Sequence, residues 1–271
     1  MTRFAGRLSG VATINASVIQ GSGFGPAAFA INASDLHPVH DHNRIVKFAD
    51  DTYLIIPASK RDTIGEELAS ISAWATKNNL KLNPTKSKEM IVMRRSRRAD
   101  LPPPYPGIER VDSLVVLGVT ISRHLRASLH IDRLLGTCTS SLHALRVLRA
   151  HGLPQEALYG VTRATIISRL LYAAPAWWGL ASAGDRNRLE RFFAKMKRLD
   201  YLPSSQEPIE ALVDTAERRL LGAVISNYSH VLRSLFPPIV HRQYNLRPRS
   251  HNFKLPEKDD KNFIPRILYK L

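Results

Sequence analysis

Cys138 is the only cysteine among 271 residues. That excludes an internal disulfide, a paired-cysteine redox centre and any zinc site built on several thiolates, and it fits a reducing compartment. Acidic residues are also scarce. Asp plus Glu number 23 against 39 Lys plus Arg, which leaves a formal charge of +16 and a sequence pI near 10.3. A balance of this sign and size is expected of a protein that works against polyphosphate, with solubility as the plainer explanation. Long apolar runs are missing too. The longest, around residues 17–33 and 170–183, are interrupted by Gly and Pro and fall short of the roughly 18 unbroken apolar residues that a membrane-crossing helix needs. Arg3 and Arg7 are followed by Gly, Ser and Asn rather than an apolar core, so no secretory leader is expected. These absences imply an intracellular chain, cytoplasmic or nuclear, neither secreted nor held in a membrane.

The 44% of hydrophobic residues are enough for at least one core. Ile14, Val18 and Ile19 read as a strand entering the loop Gln20-Gly21-Ser22-Gly23-Phe24-Gly25-Pro26, with a helix over 27–36. Two β-type runs, Arg44 to Phe48 and Tyr53 to Ile56, flank Ala49-Asp50-Asp51-Thr52 and predict a hairpin with two carboxylates at a tight turn. Ile64, Leu68, Ile71 and Trp74 recur at helical spacing. They predict an amphipathic helix over 62–79, opened by a capping box at Thr63 and Glu66 and closed by Asn78-Asn79 in the left-handed conformation. A strand is expected between Leu80 and Met93, a loop over the basic run and proline cluster of 94–107, and a last strand pair over 111–121 around Gly118. Beyond Leu125 the pattern is helical to about Phe236, with one stripe at Ile131, Leu135, Cys138, Leu142 and Leu145 and another at Leu189, Phe192, Phe193, Met196 and Leu199. After Pro237 the mix of Pro, Arg, Lys and Asp predicts an extended or partly disordered end. The fold class is α+β, sheet first and helices after.

Adjacent Asp50 and Asp51 are hard oxygen donors of the kind Mg²⁺ takes together with substrate phosphates. Asp is also common in turns for its local hydrogen bonding, so the pair alone does not decide between a metal site and a solvated turn. His37, His40 and His42 with Asp41 have the composition of a metal set and equally that of a solvated loop. Arg188, Arg191, Lys195 and Arg198 repeat along one helix face, which suits a phosphate backbone or plain solvent. Trp177 and Trp178, beside Pro175, read as core rather than as base-stacking surface.

Taken in order, several segments resemble consecutive polymerase motifs of non-LTR, LINE-like reverse transcriptases. They are Ser17 to Pro26, then Lys47-Phe48-Ala49-Asp50-Asp51-Thr52, then Trp74 with Asn78 to Asn83 and Lys86-Ser87-Lys88, then Leu117-Gly118-Val119. Leu170 to Gly179 is similar to the helical thumb of such elements. The resemblance implies a partial palm over 1–122 carrying an antiparallel sheet with the acidic hairpin, an all-helical thumb-like region over 123–236 and a basic, proline-containing tail over 237–271. It implies an RNA-directed DNA polymerase, a nucleotidyltransferase working with Mg²⁺, an RNA template, a DNA primer and deoxynucleoside triphosphates. By the same resemblance Asp50 and Asp51 are catalytic metal ligands and Lys86, with Lys88 as competitor, donates a proton to pyrophosphate. Gln20, Gly21, Ser22 and Phe48 meet template and nucleotide, and Leu117 and Gly118 grip the primer. Glycine in the first loop also suits a close backbone approach to ligand. The family's first polymerase motif, with a further metal-binding aspartate, is expected ahead of the glycine loop, and the chain departs from the family by lacking it. That departure implies a fragment inactive by itself, the alternative being a non-catalytic basic nucleic-acid-binding protein derived from such an element.

Overall fold

The computed structural model describes residues 3–10, 21–93, 101–240 and 251–270, and the chain divides into two units, 1–87 and 88–271. The first unit opens with the small antiparallel pair β1 (Arg3–Phe4) and β2 (Arg7–Leu8). Helix α1 (Gly25–Asn32) has Pro26 in its first turn, where a missing N–H costs nothing. Strands β3 (Arg44–Phe48) and β4 (Asp51–Ile55) form an antiparallel hairpin running from Arg44↔Ile55 to Phe48↔Asp51. Helix α2 (Ile64–Lys77) follows and ends where Asn79 takes a φ of 54, as the Asn-Asn pair predicts.

A buried carboxylate organises this unit. Glu67 accepts from the backbone N–H of Val39 and of His40, both at 3.0 Å, and from the Asn43 side chain at 2.8 Å. Burial pushes its pKa up, but the Asn43 amide, the two backbone donors and nearby His40 outweigh that and hold it below the ordinary value. The loop between α1 and β3 is thereby pinned to α2. Trp74 Nε1 donates to Asp35 at 2.7 Å, and Lys47 Nζ donates to the carbonyls of Leu36 (2.8 Å) and Ala33.

The capping box expected at Thr63 and Glu66 does not form. A 3₁₀ segment, Ala58–Thr63, runs straight into α2, so Thr63 is already helical. Its hydroxyl bonds Lys60 O and the Asn43 amide instead, and Glu66 turns to His40, 2.8 Å away. The strand expected over 80–93 shrinks to β5 (Lys88–Glu89), which pairs in parallel with β6 (Glu109–Arg110). Ahead of it, Asn83 Oδ1 accepts from the N–H groups of Thr85 and Lys86, and the turn this makes interrupts the extended run.

In the second unit β7 (Ser113–Val116) and β8 (Val119–Ser122) form another antiparallel hairpin. Then come α3 (Ser128–Ala150), α4 (Gln155–Thr162), a π-helical turn at Arg163–Ile167, α5 (Ser168–Leu171), α6 (Ala174–Trp177), α7 (Ala183–Arg198) and α8 (Ile209–Ser226). Ile131, Cys138, Leu142 and Leu145 from α3 enclose one core with Leu170, Trp177, Leu189, Phe193 and Met196. Each fully buried side chain of this size contributes roughly 1.5–3 kcal/mol. Burial pushes the Cys138 thiol up to about 11, so it is an inert core residue. Ser182 and Asp185 cap α7 reciprocally at 3.1 Å. Leu199, expected on the α7 stripe, instead ends the helix and is exposed.

The extended tail expected after Pro237 is also corrected. Phe263–Lys270 is helix α9, packed through Ile267 and Leu268 on Leu221 of α8. Arg266 Nε donates at 3.0 Å to buried Glu217, whose other oxygen meets Lys270 at 2.9 Å. A Cβ on Gly179 would collide with the Arg266 guanidinium and the Lys261 carbonyl, so only glycine admits this docking. The sequence reading missed it because one apolar stripe of eight residues is hidden among charged neighbours. The mixed α and β class stands, with the strands arranged as small two-stranded ribbons. No helix among the described residues is long and apolar enough to cross a membrane.

Candidate metal and nucleic-acid site

The acidic hairpin is tighter than its sequence suggests. Its turn is Ala49-Asp50, and Asp51 already opens β4 opposite Phe48. Ala49 takes a φ of 50, uncommon for a residue with a Cβ. Opposed residues share a face, so Phe48 and Asp51 stand together, followed by Val46 with Tyr53 and Arg44 with Ile55. Phe48 is 61% exposed, and Val46 and Ile55 are open as well. The Asp50 and Asp51 side chains are exposed and make no hydrogen bond or ion pair among the described residues. Mg²⁺ binds through one or two carboxylates, completing its octahedron with water and substrate phosphate. Two uncommitted carboxylates on a fixed hairpin fit that share of a site. Among the described residues no group of three or more His, Cys, Asp or Glu is arranged to hold an ion. That includes the histidine loop, where His40 stacks on His42 at 5.3 Å and bonds Glu66.

Gln20 and the strand expected before it lie outside the described residues. Gly21 takes a φ of 86, with open space where a Cβ would stand, so its glycine answers to backbone conformation. Ser22 Oγ accepts from Gly25 N at 3.0 Å and so helps start α1. Lys86 sits in the Asn83 turn with an exposed side chain. Lys88, the competing lysine, is committed to an ion pair with Glu109.

In the second unit Leu117 and Gly118 form the two-residue tip of β7 and β8, with φ values of 46 and 82. Both positive values define a type I′ turn, which matches the strand twist but strains a leucine. The strained tip is held from outside. Tyr172 donates its hydroxyl to Leu117 O at 3.0 Å, and its ring lies 3.2 Å from where a Gly118 Cβ would be. Trp177 Nε1 donates to Tyr172 O at 3.0 Å, and the Trp177 ring meets His130 edge-on at 5.2 Å. His130 Nδ1 in turn accepts from Thr120 N at 3.4 Å, and Arg133 donates to the Thr120 hydroxyl at 3.0 Å. Tyr172, His130 and Arg133 were not singled out by sequence reasoning. The signal present was the Leu170 to Gly179 segment as a block, with nothing in it to mark Tyr172 as the residue that reaches the tip.

Along α7, Arg191, Lys195 and Arg198 are exposed, while Leu189, Phe193 and Met196 face the core. Arg188 differs from its three partners, because Asp132 of α3 (2.6 Å) and Asp185 (3.4 Å) already bind its guanidinium. Trp177 and Trp178 are core residues, as their place beside Pro175 suggests.

A family model described as reverse transcriptase (RNA-dependent DNA polymerase) matches residues 2–121. The matched stretch, a little under half of the chain, contains the glycine loop, the acidic hairpin, Lys86 and the Leu117–Gly118 turn. Neither a curated protein nor a solved structure matches the chain.

Proposed function

We propose that this chain is part of the RNA-directed DNA polymerase of a non-LTR, LINE-like retrotransposon, with a partial palm over 1–122, a thumb-like region over 123–236 and a basic, proline-containing segment over 237–271. The observation that carries the reading is the hairpin itself: two adjacent, uncommitted carboxylates at the tip of β3 and β4, inside the stretch that matches reverse transcriptases. In this reading Asp50 and Asp51 hold Mg²⁺, which when bound supplies an activated primer 3′-hydroxyl and charge neutralisation on the departing pyrophosphate. Gln20, Gly21 and Ser22 lie against the template base and incoming deoxynucleotide, and Phe48 gives that nucleotide an apolar wall. Lys86 donates a proton to the leaving group. The Leu117–Gly118 turn grips the primer strand. Arg191, Lys195 and Arg198 meet the phosphate backbone, and Arg188 holds their helix against α3.

Two-metal phosphoryl transfer needs carboxylates enough to clamp both ions, and Asp50 with Asp51 make two. We therefore expect the 271 residues to bind a DNA primer on an RNA template, more tightly with Mg²⁺ and with steep salt dependence, and to leave the primer unextended. Extension by the purified chain that Asp50→Ala abolishes would overturn the inactivity and assign a complete polymerase. Binding that ignores Mg²⁺ and both Asp50→Ala and Asp51→Ala would instead favour a non-catalytic basic nucleic-acid-binding protein.

A further inference from the structure

Among the described residues of the second unit three arginines stack on aromatic rings, and two of the stacks are internal. Arg149 covers Tyr201 at 4.4 Å and Arg186 covers Trp178 at 5.3 Å, with those rings 2% and 3% exposed. The third stack is open. Arg233 lies 4.3 Å from the ring centroid of Tyr228, yet Tyr228 remains 83% exposed. One ring face is therefore backed by a guanidinium and the rest is offered to solvent.

The backing group is itself fixed. Arg233 Nη1 donates to the last carbonyls of α8, Val224 O at 3.0 Å and Ile225 O at 2.8 Å. Those partners are neutral, and no carboxylate pairs with Arg233 among the described residues. The helix end offsets roughly half a charge, so positive charge remains beside the ring. The turn that carries Tyr228 is fixed as well. His230 N donates to Asn227 O at 3.1 Å, Arg233 N to His230 O at 2.9 Å, Ser229 N to Asn227 Oδ1 at 2.9 Å, and Leu232 N to His230 Nδ1 at 3.1 Å. A rigid exposed aromatic with a cation against it combines the two elements of single-strand recognition, a π-face for a base and a charge for its phosphate, and loses little entropy on binding.

We infer that Tyr228, backed by Arg233, is a stacking platform for a base of single-stranded nucleic acid. The inference rests on the nucleic-acid-binding reading proposed above and adds to it a site away from the acidic hairpin. Exposed Val231 and Leu235 on the same turn would suit a protein contact, but neither explains a cation held beneath an open ring.

The test uses the full chain, fluorescence anisotropy and labelled oligonucleotides of about 12 nucleotides, as unstructured RNA, as the same sequence in DNA and as duplex. Tyr228→Ala is expected to weaken single-strand binding about tenfold while leaving duplex affinity unchanged. Tyr228→Phe should bind like the parent, and ultraviolet crosslinking should map to a peptide containing Tyr228. Comparing the RNA and DNA strands identifies which one the platform takes. If the parent binds single strands and Tyr228→Ala binds them equally well, the inference is overturned and the proposed function is untouched. If that variant instead loses a self-association seen by light scattering, the turn is a protein contact. If the parent binds no nucleic acid at all, the proposed function falls with it.

Discussion

The β3–β4 and β7–β8 hairpins share a design and differ in what surrounds it. Each has a two-residue turn whose first residue carries a Cβ at positive φ, 50 at Ala49 and 46 at Leu117. The β7–β8 tip is gripped by Tyr172, and His130 and Arg133 of α3 hold Thr120 on its return strand. The β3–β4 hairpin is anchored close to its tip by Lys47, while the Asp50 and Asp51 carboxylates bond nothing among the described residues. Backbone strain in the first case is borne by a local scaffold. In the second the polar groups are left uncommitted, as expected where a ligand would complete them.

The largest effect is expected at Trp177, whose indole N–H donates to the Tyr172 carbonyl. Trp177→Ala should cost about 3–5 kcal/mol and raise hydrogen exchange over 113–122. A parallel rise over 44–55 would show that the hairpins are not separately supported. A smaller effect is expected at the turns. Gly118→Ala puts a Cβ at φ 82 against Tyr172 and should cost about 1–3 kcal/mol by urea denaturation. Ala49→Gly relieves the corresponding position in the first hairpin and should stay within about 1 kcal/mol of the parent.

Acid sharpens the contrast. Burial disfavours the His130 imidazolium and the Arg133 charge adds repulsion, so its pKa lies below the ordinary 6.5. Between that lowered value and 6.5 the unfolded chain binds the proton that the folded chain refuses. Stability of the second hairpin should therefore fall as pH drops through this window and level off below it. Among the described residues His130 meets the Trp177 ring, Thr120 N and the Arg133 charge, none of them a carboxylate to oppose the trend. Melting curves of the parent against His130→Phe isolate this contribution, and identical slopes would refute it. The smallest structural effect belongs to Asp50→Asn and Asp51→Asn. Both should leave the denaturation midpoint in place, as uncommitted surface residues do, while removing the Mg²⁺-dependent tightening on primer–template. A shift in midpoint would mean that these carboxylates hold the hairpin together.

Local chemistry was the legible part of this structure. β-branched runs on either side of Asp-Asp and of Leu-Gly announced both hairpins, Asn79 announced a left-handed helix end, and Trp177 and Trp178 beside Pro175 announced core. Contacts between distant residues were not legible. Glu67 looks like one more acid on an amphipathic helix until it collects donors from a loop 24 to 28 residues earlier. Tyr172 and Leu117 are 55 apart, so no window of the sequence contains both. Thr63 and Glu66 have capping-box spacing, yet Asn43 and His40 compete for them across the fold. For the candidate site, the order of the motifs was readable, but the commitment of Arg188 to Asp132 was not, because helical spacing says nothing about the neighbouring helix.

The Glu217–Arg266 pair bears on how the protein is made. Synthesis proceeds from the N-terminus and folding starts before it ends, so the ribosome delivers α8 well before α9. During that interval Glu217 lacks the cations that accompany it in the finished fold. A lone charge in a nascent interior costs several kcal/mol, which favours keeping α8 wet until residues 263–270 emerge. Closure of this core thus waits for α9, whose Arg266 takes the space that Gly179 leaves beside it.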